Sequence, residues 1–118
     1  MNIIIPFLPK PTKNTHEADR IMQKYPDRIP VIVSRNLNSK NTPEIDKCKF
    51  LVPVDLTMGQ FLYVIRKRLK LNSEKALFMF IDNTVICNTE LIHKVYSESY
   101  NKEDHFLYVV YSCENTFG

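Results

Sequence analysis

The spacing of apolar and polar positions divides the chain into short blocks whose period switches between two and about 3.6 residues. "RIPVIVS" at 28–34 and "KCKFLVP" at 47–53 are rich in β-branched and apolar residues and read as strands. The polar "RNLNSKNTPEID" between them reads as a turn or loop. In "LTMGQFLYVIRKRLKL" at 56–71, Met58, Phe61, Leu62, Ile65 and Leu69 recur at helical spacing. Thr57 and Gln60 form a capping box there, and Leu56 and Phe61 can make a hydrophobic staple, so a helix is predicted. "ALFMFIDNTVI" reads as a strand turning at Asp82-Asn83, and "TELIHKVYSES" as a short helix begun by Thr89. "HFLYVVYS" is a nearly continuous apolar strand, expected to be central and covered. Upstream, "NTHEADRIMQKYP" offers Asn14 and Glu17 as a capping pair, puts Ile21 and Tyr25 on one face, and stops at Pro26.

The order strand, strand, helix, strand, helix, strand in 118 residues suits an α+β sheet with a helix packed across one face. Two hairpin-like pairs flanking one long helix give the ubiquitin-like β-grasp pattern: a four-stranded sheet, the helix across it, and an N-terminal helix. Pro6, Pro9 and Pro11 remove backbone donors and bias their neighbours away from helix. Residues 1–13 are therefore expected to be an extended, proline-interrupted arm outside the core, with residues 14–118 forming one domain.

Composition narrows the chemistry by exclusion. A net charge of +3 falls short of the single-sign excess that would argue for nucleic acid. Cys48, Cys87 and Cys113 are an odd number without a C-x-x-C pair, which fits reduced thiols in a cytosolic compartment. The apolar start lacks a basic leader and a cleavage site, so it is not read as a signal peptide. No apolar run reaches the roughly 18–20 residues of a membrane span. His16, His93 and His105 lie far apart, without metal-ligand spacing. Cys113 has no local group to activate it as a nucleophile, and no phosphate-cradling glycine loop is present. No enzyme and no cofactor are expected.

Two features rise above this background. The basic run "RKRLK" has an ordinary structural reading, cations complementing the dipole at a helix C-terminus, and a functional one, an acidic partner beside the second strand. In "KCKFLVP", Cys48, Phe50 and Val52 face one way while Lys47, Lys49 and Leu51 face the other, so both faces carry apolar groups. Pro53 cannot donate to a ladder and belongs at a strand end or sheet edge. Such an edge could accept an added peptide strand.

"KYPDRIPVIV", "DKCKFLVPVDLTMGQFLYVIRKRLKL" and "HFLYVVYSCENTFG" together resemble the autophagy-related ubiquitin-like modifiers, the group that includes GABARAP and microtubule-associated protein light chain three. The resemblance runs from about Glu17 to Gly118. It implies a β-grasp preceded by two short helices, the first of which the proline-interrupted "IIIPFLPKP" replaces or remodels. It also implies that Gly118, either encoded as the last residue or exposed by a processing cysteine protease, is the reactive end, activated as an adenylate, passed through thioesters of activating and conjugating enzymes, and joined to phosphatidylethanolamine. A glycine suits that task, because a tail without a side chain threads into a confined site.

The resemblance further implies a docking surface for autophagy receptors that carry an aromatic-x-x-aliphatic motif with acidic neighbours. Glu17, Ile21, Pro30, Ile32, Lys49, Leu51 and Phe106 would surround the aromatic residue. Phe50, Val52, Pro53, Phe61, Val64 and Ile65 would line the aliphatic pocket, which bulky Phe61 would narrow. Arg28, Lys47 and Arg68 would meet the acidic flank. The protein is then expected to be a cytoplasmic monomer that moves to autophagosomal membranes when lipidated. Conjugation to a protein, or action as an unconjugated peptide-binding adaptor, are the alternatives.

Overall fold

The computed structural model describes residues 5–6, 17–39, 41–45 and 48–115. Asn14, Lys47, Gly118 and most of the arm lie outside them. In chain order the elements are β1 (Ile5–Pro6), α1 (Glu17–Lys24), β2 (Arg28–Arg35), β3 (Lys49–Pro53), α2 (Met58–Leu69), β4 (Lys75–Ile81), β5 (Thr84–Val85), α3 (Ile92–Ser99) and β6 (Leu107–Asn115). The strands form one sheet in the order β1-β3-β2-β6-β4-β5. The four expected strands make its body, and two-residue strands are added at each edge.

The β-grasp topology follows from the pairings. β2 and β3 form an antiparallel hairpin, β4 and β6 are antiparallel, and β2 and β6 run parallel in the middle. Helix α2 is fixed at its start by the capping box: Gln60 N–H donates to Thr57 Oγ1 at 3.1 Å, and Thr57 N–H donates to Gln60 Oε1 at 2.9 Å. Lys70 ends it in a left-handed conformation (φ 56°). Met58, Phe61, Ile65 and Leu69 of α2 are buried, as are Ile29, Val31 and Val33 of β2, Phe50 and Val52 of β3, and Val109 and Tyr111 of β6. Phe50 and Phe61 meet edge to face, with ring centroids 6.1 Å apart.

Asp82 and Asn83 both take positive φ (51° and 64°), the two-residue turn that suits a twisted hairpin between β4 and β5. Strand β6 is central, but its outer face is not fully covered: Tyr108 is 41% exposed. α1 is a helix of eight residues and does not span the whole sheet. Thr89 does not begin α3. The N-cap is Leu91, which makes no side-chain cap bond, and Ile92 N–H instead donates to the Leu56 carbonyl at 2.8 Å. Thr89 Oγ1 lies 3.1 Å from Cys87 Sγ. The helix start is thus set by a neighbouring loop, which a local capping rule cannot see.

Gly59 matters at this junction. Its N–H donates to the Asn88 carbonyl at 2.9 Å, and a Cβ there would sit 3.1 Å from that oxygen. The glycine permits the loop before α3 to close on the start of α2.

Candidate functional site

β3 is flanked on its outer face by α1, β2 and the residue preceding β6. The β2–β3 register puts Ile32 opposite Lys49 and Pro30 opposite Leu51, so these four side chains share that face. Glu17 opens α1, and Ile21 lies one turn along the same helix face. Lys49 Nζ sits 3.3 Å from Glu17 Oε1 and 5.2 Å from the centre of the Phe106 ring. The residues expected around the aromatic pocket therefore come from α1, β2, β3 and the residue just before β6. Within the cluster Pro30, Leu51 and Phe106 are buried, while Ile21, Ile32, Glu17 and Lys49 are half-buried.

Helix α1 and Phe106 are held by groups whose structural role is not visible in the sequence. His105 Nδ1 and Asp19 Oδ1 are 2.6 Å apart, tying α1 to the loop before β6. Tyr96 of α3 donates its hydroxyl to the His105 carbonyl at 2.6 Å. Burial, with Asp19 next in effect, pushes the Tyr96 phenol up to about 12, so this donor keeps its proton. Asn101 Oδ1 accepts from the backbone N–H groups of Glu103 and Asp104, and its own N–H donates to the Phe106 carbonyl at 2.8 Å. These bonds hold His105 at a φ of 65° and deliver Phe106 to the site. The signal in the sequence was "YNKED", an asparagine followed by polar residues, which marks a side-chain-closed turn but not what the turn presents.

The residues expected to line the aliphatic pocket divide into two groups. Phe50, Val52, Phe61 and Ile65 are fully buried between α2 and the sheet, whereas Pro53 and Val64 are half-buried. The four are core residues at which large-to-small truncation costs roughly 2–5 kcal/mol for Phe61 or Ile65. The open space lies alongside α2, a groove of about 770 Å³ lined by residues that include Leu56, Gln60, Tyr63, Val64 and Arg68.

The cations flank β3 from its two sides. The Arg28 guanidinium lies 3.5 Å from the Leu51 carbonyl, and that of Arg68 lies 5.3 Å from the centre of the Phe50 ring. Arg66 has a structural task, donating to the Asn72 carbonyl at 2.6 Å beyond the helix end. The basic run thus splits into a cation that closes the helix and one that borders the groove. Among the described residues no cluster of His, Cys, Asp and Glu could hold a metal ion, and no helix is long and apolar enough to cross a membrane.

The backbone of β3 is as informative as its side chains. Pro30 has no N–H, and it stands opposite Leu51. The β2–β3 ladder bonds consequently run through alternate pairs, and the adjoining bonds continue that alternation: Val33 N–H to the Cys48 carbonyl at 2.7 Å, and Val54 N–H to the Asp27 carbonyl at 3.0 Å. Lys49, Leu51 and Pro53 then direct their backbone groups away from β2, toward the outer side of β3.

The sequence matches the family described as autophagy protein Atg8, ubiquitin-like, over residues 13–118. It is 58% identical to autophagy-related protein 8e of Arabidopsis thaliana over 106 residues, spanning 90% of this chain and 85% of that one. It is 56% identical to autophagy-related protein 8 of Mycosarcoma maydis over 106 residues, spanning 90% of this chain and 88% of the relative. Among solved structures, Trypanosoma brucei ATG8 superposes with a TM-score of 0.78 at 43% identity, covering 86% of each chain. The chain belongs to the Atg8 family of ubiquitin-like autophagy proteins.

Proposed function

We propose that this protein is a lipid-conjugated modifier that recruits receptor peptides to autophagosomal membranes. The observation that carries the docking part is the strand β3, whose outward backbone groups lie beside the Glu17, Ile21, Pro30, Ile32, Lys49, Leu51 and Phe106 cluster. An added peptide strand would pair with that backbone, and the peptide's aromatic residue would enter the cluster. Its aliphatic residue would settle near Pro53 and Val64, toward the groove beside α2. Acidic neighbours would meet Arg28, Lys47 and Arg68.

Conjugation is assigned to Gly118. Its carboxylate would be activated by ATP as an adenylate with release of pyrophosphate, then transferred to enzyme thiols as a thioester with release of AMP. The amine of phosphatidylethanolamine would attack the thioester carbonyl, forming the amide and releasing the thiol. Cytoplasmic and membrane-bound forms would be the two ends of that reaction, with the processing cysteine protease hydrolysing the amide to return the free Gly118 carboxylate and the lipid amine. Family membership supports this assignment.

The test is reconstitution with activating enzyme, conjugating enzyme, ATP and liposomes containing phosphatidylethanolamine. The expected result is a mobility shift that requires ATP, lipid and Gly118. Shift without phosphatidylethanolamine but with a protein acceptor would make the conjugation target a protein. Persistent shift after deletion of Gly118 would overturn the assignment of the reactive end.

A further inference from the structure

The edge on which a receptor peptide would dock carries a strand of the protein's own N-terminal arm. β1 pairs antiparallel with β3, Ile5 opposite Leu51 and Pro6 opposite Phe50. The alternation derived above makes Leu51 the residue whose backbone faces outward and Phe50 the one that faces β2. Ile5 therefore stands at the position where an antiparallel pair exchanges its ladder bonds, and Pro6 at the position where none is needed. Proline is tolerated in an edge strand when its missing donor faces no acceptor, and this register provides that. The placement of Pro6 is then compatible with strand addition rather than a barrier to it.

We propose that the arm is an intramolecular occupant of the peptide-docking edge, so that receptor binding requires its displacement. This rests on the docking reading given above. A strand added to β3 needs the N–H and carbonyl of Leu51, and β1 is placed to take the same two groups. The two occupants exclude each other by backbone chemistry, whatever their side chains. The Ile5–Pro6 pairing is two residues long, so displacement is cheap compared with unfolding any part of the body. The device tunes affinity without abolishing it. An arm docked for about 70–90% of the time raises the apparent dissociation constant about three- to tenfold.

The experiment uses the full chain with one substitution. Ile5→Pro removes the N–H that faces Leu51, and Ile5→Val keeps it. A synthetic peptide made of a glutamate run followed by tryptophan, two alanines and leucine is titrated calorimetrically into wild type, both variants and Ile32→Ala. In parallel, hydrogen exchange of the Leu51 amide is followed by NMR. The expected result is binding about three- to tenfold tighter for Ile5→Pro, wild-type binding for Ile5→Val, and Leu51 amide protection lost in Ile5→Pro alone. If Ile5→Pro binds as wild type does while Ile32→Ala binds more weakly, the arm is no competitor and the docking surface stands. If none of the proteins binds the peptide, the docking reading falls and this one with it. Unchanged protection of the Leu51 amide in Ile5→Pro would also overturn the proposal, because the arm would then not be what covers it.

Discussion

Thr42 is the polar residue whose loss should be felt most. It lies in the loop after β2 and is 4% exposed. Its Oγ1 accepts from the Cys113 N–H at 3.0 Å, lies 3.4 Å from the Cys113 carbonyl, and touches the Ser39 hydroxyl. The β2–β6 pairing stops at Arg35 and Tyr111, so at Cys113 this side chain takes the place of a neighbouring strand. Thr42→Val keeps the shape and deletes the acceptor, leaving a buried N–H unpaired at a cost of about 1–3 kcal/mol. For a domain of this length about 1 kcal/mol corresponds to about 4 °C in melting temperature, so the valine variant should melt about 4–12 °C lower. Thr42→Ser retains the hydroxyl and removes one methyl, worth about 0.8 kcal/mol, and should fall by about 3 °C. Differential scanning calorimetry of the three proteins decides the matter. A valine variant within about 1 °C of wild type, or a serine variant that falls as far as valine, would show that the hydroxyl does not support β6.

Three further outcomes follow from the geometry. Glu17→Gln removes the carboxylate that competes for Lys49 and should tighten binding of the glutamate-flanked peptide about two- to fivefold at low salt, a gain of under about 1 kcal/mol that fades as salt rises; equal affinity at low salt would refute it. Gly59→Ala should lower the melting temperature despite alanine's better helix propensity, because the new Cβ meets the Asn88 carbonyl held 2.9 Å from the Gly59 nitrogen; a higher melting temperature would show that the loop yields. Tyr96 and Tyr108 are both held up to about 12, chiefly by burial, with the hydrogen bond to the Asp104 carboxylate adding to it for Tyr108. Unfolded tyrosines release protons near pH 10, so the folded state binds more protons between about 10 and about 12, and stability should fall as pH rises through that window. Urea unfolding at about pH 9 and about pH 11 tests this, and equal midpoints would contradict it.

The elements legible in the sequence were those whose cause is local. The capping box at Thr57 and Gln60 set the start of α2, and the spacing of Met58, Phe61, Ile65 and Leu69 set the face it buries. Asp82-Asn83 specified a tight hairpin by tolerating positive φ. The period-two pattern of "KCKFLVP" showed a strand with two occupied faces, which located the candidate site on β3. The start of α3 was not legible, because a carbonyl of Leu56 fixes it, thirty-six positions upstream.

The tertiary structure decided how the candidate site is built and what borders it. The sequence by itself could name Phe50, Val52, Phe61 and Ile65, but not that α2 lies so close over the sheet that all four are sealed beneath it, leaving the open groove alongside the helix. It could not foresee Asp19 and His105 as the clamp on α1, since they are 86 residues apart. Three prolines argued that the arm lies outside the fold, and they do oppose a helix, but opposition to a helix says nothing about pairing at an edge. Whether a proline blocks a ladder depends on which alternate position it takes. That alternation is set by the pairing of Leu51, on the adjacent strand, with Pro30, two strands away, through contacts that exist once β3 has found β2.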